Sequence, residues 1–216
     1  MATNKKVTIC PTVTARSSDE YREQMERLAP FVRRIHIDVA DGVFTPVKLS
    51  SLKSVWWPHG VTADLHVMFQ RPFGHTADYL RLAPQLVIVH AEAEGQFLPF
   101  SSRMRANSIR VGVALKPHTS VEKIKQALDW IDHVLIFSGN LGHFGGQANT
   151  HLLTKALHMR RLKPELEIGW DGGINIQNAN LLAAGGVNVL NVGGFIQHAH
   201  NPRAAYEQLR GAVGLK

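Results

Sequence analysis

The chain has 216 residues, 44% of them hydrophobic, which is enough for one sizeable core or for two small domains. Its single cysteine, Cys10, excludes an internal disulfide framework and fits the cytoplasm, and no stretch has the pattern of a signal peptide or a membrane span. The net charge of +7 comes from dispersed basic residues, so we interpret it as a solvated surface and expect neither a nucleic-acid nor a membrane partner.

Short apolar runs rich in Val and Ile recur along the chain and are predicted to form eight strands. They cover residues 7–13, 34–39, 63–68, 86–90, 110–115, 133–137, 167–170 and 187–192. Each run is followed by a stretch that suits an amphipathic helix, for example 19–28, 121–130, 151–162, 178–184 and 202–213.

Alternation of buried strands with helices predicts a parallel sheet. Eight such units in 216 residues favour a single α/β domain, a closed (β/α)8 TIM barrel over residues 1–216, because no linker interrupts the series. A doubly wound open sheet is the competing architecture.

Polar residues interrupt the second predicted strand with a period of two. Ile35, Ile37 and Val39 share one face of this strand, so His36 and Asp38 share the other. If the branched side chains pack against helices, the His-Asp pair points into the barrel near the carboxyl end of the strand, where barrel enzymes hold their catalytic residues.

The third and seventh strands carry similar residues. His66 lies inside the third run, and Asp171 directly follows the seventh, so two His and two Asp are expected at three neighbouring strand ends. Imidazole and carboxylate ligands of this kind suit a divalent metal. The alternative is that each is a buried polar group satisfied by its neighbours, and this structural interpretation is favoured for Asp64, His90 and Glu92.

Three glycine-rich turns follow the last three predicted strands, at 139–146, 172–173 and 193–194. Backbone N–H groups without a neighbouring Cβ approach an anion closely, and barrels commonly bind phosphate in the loops after strands seven and eight. Together the turns predict a phosphate site.

Seven motifs follow one another along the chain: CPT at 10–12, HIDVADG at 36–42, DLHVM at 64–68, VHAE at 89–92, LKP at 115–117, FGGQ at 144–147 and DGG at 171–173. In order and approximate spacing they resemble the ribulose-phosphate 3-epimerase family over roughly residues 7 to 210. The resemblance implies a barrel of the ribulose-phosphate-binding type, and because barrels of this family commonly associate, we expect a homo-oligomer.

The resemblance also implies the roles of individual residues. Asp38 and Asp171 would be the paired acid and base. One divalent metal ion, either Zn, Fe, Mn or Co, would be held by His36, Asp38, His66 and Asp171. Thr12 stands where the family has a substrate-contacting Ser, and His66 and Met68 would also contact the substrate. The phosphate would be held by Phe144, Gly145, Gly146, Gly172, Gly173, Gly193 and Gly194.

The expected activity is a metal-dependent inversion of carbon 3 of a phosphorylated ketose, with D-ribulose 5-phosphate and D-xylulose 5-phosphate as the pair. Ala40 and Gly194 differ from the family's Met and Ser, and the loop containing Asn140 is one residue longer and has no proline. These departures leave two alternatives open, a 3-epimerase of a ketohexose 6-phosphate such as D-allulose 6-phosphate, or a barrel that binds a sugar phosphate without turnover.

Overall fold

A computed structural model describes residues 7–215 and contains a closed barrel of eight parallel strands in sequence order. Each strand pairs with the next, and β8 pairs with β1 to close the barrel. The strands are β1 (Thr8–Val13), β2 (Arg34–Ala40), β3 (Thr62–Met68), β4 (Leu86–His90), β5 (Arg110–Leu115), β6 (His133–Phe137), β7 (Glu167–Asp171) and β8 (Val189–Val192). The predicted barrel is confirmed, and the open-sheet alternative is wrong.

Helices surround the barrel and follow most of the strands. They are α1 (Ser18–Leu28), α2 (Thr76–Leu82), α3 (Phe97–Ala106), α4 (Leu153–Leu162), α5 (Ala179–Ala184), α6 (Gly194–Gln197) and α7 (Pro202–Ala212). Side chains of Ser17 and Asn201 accept hydrogen bonds from the first turns of α1 and α7, which fixes where these helices begin. Among residues 7–215, no helix has the length and apolar character needed to cross a membrane.

Two connections differ from the predicted helices. Residues 121–130 form a 3-10 helix, capped at its start by Ser120, although their apolar pattern predicts an α-helix. The segment between β2 and β3 contains no helix at all, because Pro46 and Pro58 interrupt it and Gly42 and Gly60 adopt positive φ angles. This irregular segment begins at the carboxyl end of β2 and returns to the amino end of β3.

The apolar core of the described residues consists of one large cluster and two small ones. The larger part lies between the strands and the helices and includes Ile35, Ile37 and Val39, as the period-two pattern predicts. A smaller cluster consists of Leu86, Ile88, Ala114 and Leu135 from β4, β5 and β6. Since these residues are not part of the outer cluster, they fill the interior of the barrel, and His36 and Asp38 share that interior.

Charged residues occupy the amino-terminal end of the barrel interior. Arg34 donates to Asp64 at 2.8 Å and forms two hydrogen bonds of 2.9 Å with Glu167. The carboxylate of Glu167 also lies 2.9 Å from His133 Nδ1 and 3.1 Å from Arg110. This network closes the end of the barrel opposite the predicted site. It pairs Oδ2 of the buried Asp64 with Arg34, while Oδ1 has no hydrogen-bond partner among residues 7–215.

Candidate active site

Four polar side chains converge at the carboxyl end of β2, β3 and β7. Asp38 and His66 are register partners on β2 and β3, and Asp171 is the last residue of β7. Each of these residues, and His36, has one potential metal-ligand atom that lies within 4.8 Å of the other three. Asp38 Oδ1 is 2.9 Å from His66 Nδ1 and 3.3 Å from His36 Nε2, and Asp171 Oδ2 is 3.7 and 3.8 Å from the same nitrogens.

The two carboxylates of this cluster have opposite electrostatic environments. Burial raises the pKa of Asp38, but the imidazoles of His36 and His66 lower it by more, so this pKa lies below its ordinary range. Burial, and then the negative charge of Asp38, raises the pKa of Asp171. The two neighbouring carboxylates repel each other, and a cation between them would relieve this repulsion.

The cluster has the dimensions of a metal site. His36 is fully buried, and neither ring nitrogen has a hydrogen-bond partner in the part of the chain that the structure describes. A tetrahedral centre with bonds of about 2.1 Å places its ligand atoms roughly 3.4 Å apart. The four distances of 2.9 to 3.8 Å surround that value, so these residues fit a divalent cation such as Zn²⁺, Fe²⁺, Mn²⁺ or Co²⁺.

A buried chain of polar groups supports His66 from behind. Its Nε2 lies 2.8 Å from Nε2 of His90, whose Nδ1 lies 3.6 Å from a carboxylate oxygen of Glu92. Thr119 donates a hydrogen bond to Glu92. Burial lowers the pKa of His90 to about 4. If Nδ1 of His66 bound a cation, Nε2 of His66 would carry the proton and could donate it to Nε2 of a neutral His90.

A cavity of about 260 Å³ opens beside the two aspartates. Its wall includes Asp38, Asp171 and the three glycine-rich turns predicted from the sequence. Gly172 and Gly173 have φ angles of +109° and +72°, and a Cβ on either would collide with the backbone of residues 139 or 147–148. The turns after β6 and β7 therefore approach each other closely only because these positions are glycine.

The loop after β6 closes one side of this cavity. Leu141 packs against a small apolar cluster of Ala40, Leu49 and Met68. Thr45 donates a hydrogen bond to the backbone oxygen of Leu141 at 3.3 Å, which ties this loop to the segment after β2. The longer loop thus places an apolar side chain next to the position where Ala40 replaces a larger residue of the family's pattern.

Most of the residues predicted for the site line this single cavity. They are Thr12, Asp38, Met68, Phe144, Gly145, Gly146, Asp171, Gly172, Gly173, Gly193 and Gly194. His36 and His66 lie behind the wall, fully buried, with Nε2 of His36 and Nδ1 of His66 facing the aspartates. The structure therefore brings all the predicted residues together.

Other lining residues were not predicted as site residues, notably Thr14, Phe137, Asn140, His143, Asn175, Asn191 and His198. For Thr14 and Asn191 the sequence carries a usable signal. Thr14 follows Thr12 with a period of two, and Asn191 is a polar residue inside the apolar run of β8.

Comparison with known proteins agrees with the geometry. Residues 8–197 match the sequence profile of the ribulose-phosphate 3 epimerase family. A ribulose-phosphate 3-epimerase of Bacillus subtilis is 31% identical over 187 residues, covering 82% of this chain and 86% of the relative. One of Helicobacter pylori is 32% identical over 184 residues, with coverages of 82% and 84%.

Solved structures agree on the fold. The 3-hexulose-6-phosphate synthase of Salmonella typhimurium superposes with a TM-score of 0.70 at 14% identity, covering 96% of this chain and 98% of the other. Identity this low supports the barrel fold alone.

Proposed function

Because the chain belongs to the ribulose-phosphate 3-epimerase family, we propose that it is a metal-dependent epimerase that interconverts D-ribulose 5-phosphate and D-xylulose 5-phosphate. The family's activity makes the chain an isomerase of sugar phosphates. The specific pair of substrates and the role of each residue are our proposal. The observation that carries it is the presence of two carboxylates, the buried Asp38 and the partly buried Asp171, in one wall of the cavity beside two histidines.

Epimerisation next to a carbonyl needs two proton carriers. One carboxylate removes the proton from carbon 3, and the electron pair of that C–H bond moves into the adjacent carbonyl group to give an enediolate. The other carboxylate then returns a proton to the opposite face of carbon 3, which inverts the configuration. We assign these two roles to Asp38 and Asp171, which exchange roles when the reaction runs backwards.

His36, Asp38, His66 and Asp171 would hold the divalent cation. When bound, it supplies Lewis-acid stabilisation of negative charge on the substrate oxygens. The residues themselves fix the geometry, because His36 and Asp38 are held by β2 and His66 is oriented through His90. Thr12, His66 and Met68 would contact the sugar near the reacting carbon.

The glycine-rich turns would hold the phosphate. Phe144 covers Gly193, since a Cβ at that position would collide with the phenyl ring, and Gly145 and Gly146 adopt φ angles of +90° and +87°. Exposed backbone N–H groups in such turns suit an anion. We therefore assign the phosphate to Phe144, Gly145, Gly146, Gly172, Gly173, Gly193 and Gly194.

The test is epimerisation of D-ribulose 5-phosphate by the metal-loaded protein, with Asp38→Asn and Asp171→Asn as variants. We expect each variant to lose about 100- to 10,000-fold in kcat. Exchange of the carbon 3 proton with deuterated solvent separates the two roles, because a variant that keeps its base still exchanges one epimer. Metal content is measured in every sample, and chelation of the wild type should abolish turnover.

An inactive wild type with its metal bound would overturn the pentose assignment. D-Allulose 6-phosphate would then be assayed under the same conditions. Turnover of the hexose would retain the chemistry with a different sugar, whereas binding of both sugars without turnover would identify a non-catalytic barrel.

A further inference from the structure

Asn191 is a buried amide that the chemistry above does not use. It lies on β8 with 2% of its surface exposed, and it lines the cavity. Neither its side-chain oxygen nor its side-chain nitrogen has a hydrogen-bond partner among residues 7–215. Buried polar groups are nearly always paired, so an amide left open on both atoms at a cavity wall indicates a partner that comes from outside the chain.

The position of Asn191 in the barrel restricts what that partner is. Asn191 and Asp171 are register partners on β8 and β7, so their side chains leave the sheet on the same side and at the same level. Two residues further along the chain, Gly193 begins the last glycine-rich turn. Asn191 therefore lies beside the carboxylate assigned to carbon 3 and two residues before the turn assigned to the phosphate.

Thr12 adds a second open group on the neighbouring strand. Its hydroxyl oxygen is also buried and without a partner in the described chain, and it lines the same cavity. The pairing of Pro11 with Val192 on β1 and β8 places Thr12 close to the level of Gly193. Two neutral groups that both donate and accept hydrogen bonds thus line the same cavity from adjacent strands, and this combination matches a hydroxyl group better than it matches an anion.

We propose that Asn191 is a specificity-determining residue that hydrogen-bonds the sugar hydroxyl between the reacting carbon and the phosphate, which is the carbon 4 hydroxyl of a pentulose 5-phosphate. The inference rests on the proposed function for the orientation of the sugar. Because the amide does not ionise near pH 7, it contacts this hydroxyl without acting as a second base beside Asp171. A purely structural role does not explain the unpaired side-chain oxygen and nitrogen of Asn191. An apolar residue would fill the same space without burying two polar atoms that lack hydrogen-bond partners.

The experiment measures binding by calorimetry of two unreactive probes, D-ribitol 5-phosphate and its 4-deoxy analogue. The wild type should bind the first probe about 10- to 100-fold more tightly than the second, because the analogue leaves the buried amide unpaired. Asn191→Leu, which keeps the size of the side chain, should bind both probes with nearly equal affinity. Asn107→Leu, at an exposed asparagine that does not line the cavity, should discriminate as the wild type does.

Asn191→Ser is included in case the leucine variant does not fold, and its smaller hydroxyl should give a discrimination between those of wild type and leucine. Unchanged discrimination in a folded Asn191 variant would overturn the inference, as would a wild type that does not distinguish the probes. Both probes lack the carbonyl and do not react. A failure of the proposed function therefore appears separately, as absence of turnover of D-ribulose 5-phosphate.

Discussion

Thr14 donates a hydrogen bond from its hydroxyl to Oδ2 of Asp38, with 2.6 Å between the two oxygens. The other oxygen of Asp38, Oδ1, faces His36 and His66. The Thr14 hydroxyl therefore fixes the rotation of the Asp38 carboxylate, whose two oxygens have different partners. Thr14 lies just after β1, so this contact also ties the end of one strand to its neighbour.

Thr14→Val keeps the shape of the side chain and removes this hydrogen bond. We expect kcat to fall about 10-fold with a much smaller change in KM, since a hydrogen bond to a charged group contributes about 1.5–3 kcal/mol and misorientation acts on the proton transfer. The measurement is steady-state epimerisation with metal content matched to the wild type. Thr62→Val, which loses an exposed hydrogen bond at the amino end of β3, is the control and should keep wild-type kcat. Equal kcat values in wild type and Thr14→Val would contradict the orienting role.

His90→Phe tests the support of His66. The phenylalanine ring fills a similar space, next to Phe44 and Phe137, but does not accept the proton of His66 Nε2. We expect the affinity for Co²⁺ to fall about 10- to 100-fold, because a ligating imidazole loses the partner that fixes its tautomer. The readout is titration of the metal-free protein followed by visible absorbance of bound Co²⁺, which does not depend on turnover.

The matched comparison for His90 is Glu92→Gln, one step further along the chain of polar groups. Its effect on Co²⁺ affinity should have the same direction and be smaller, because Glu92 acts on His66 only through His90. An unaltered Co²⁺ affinity in His90→Phe would show that β3 alone orients His66.

Leu141 is predicted to occupy the space that a larger side chain at position 40 would need. Ala40→Met should destabilise the protein by about 1–3 kcal/mol, because Leu141 already packs against the cluster of Ala40, Leu49 and Met68. Leu141→Ala in the same chain should remove most of that cost. Urea unfolding of both single variants and of the double variant measures the coupling. Strictly additive effects would show that the two side chains do not compete for space.

The sequence predicts the barrel and most of the cavity wall because both depend on short-range patterns. Period-two alternation in β2 correctly assigns His36 and Asp38 to the barrel interior, and glycine pairs mark the three turns. The order of the strands then brings these residues to one end.

Other features depend on contacts between distant segments, which one sequence does not reveal. The packing of Leu141 against the cluster containing Ala40 joins loops about 100 residues apart. Thr14 becomes a partner of Asp38 only because β1 and β2 are adjacent. The 3-10 conformation of residues 121–130 is also missed, because its apolar spacing is close to that of an α-helix.

The charged network at the amino end of the barrel predicts a stability that depends on pH. Burial raises the pKa of Glu167, but hydrogen bonds from Arg34 and His133 lower it by more, so its folded pKa lies well below the ordinary value. A carboxylate with a lowered folded pKa stabilises the fold above its unfolded pKa of about 4.3, and this contribution is lost as the pH falls through the folded pKa. The stability that Glu167 provides should therefore be complete at pH 7.

Glu167→Gln should lower the free energy of unfolding at pH 7 by about 3 kcal/mol, because the largely buried Arg34 then keeps, within residues 7–215, Asp64 as its one ionic partner. The difference from wild type should shrink as the pH falls below about 4.3, where the wild-type contribution is itself being lost. Urea unfolding from pH 7.5 to 3.5 measures both quantities. Glu122→Gln, which removes an exposed pair with Lys125, should change stability by less than about 1 kcal/mol across this range. A Glu167→Gln difference that stays constant with pH would mean that the carboxylate contributes through shape and not through charge.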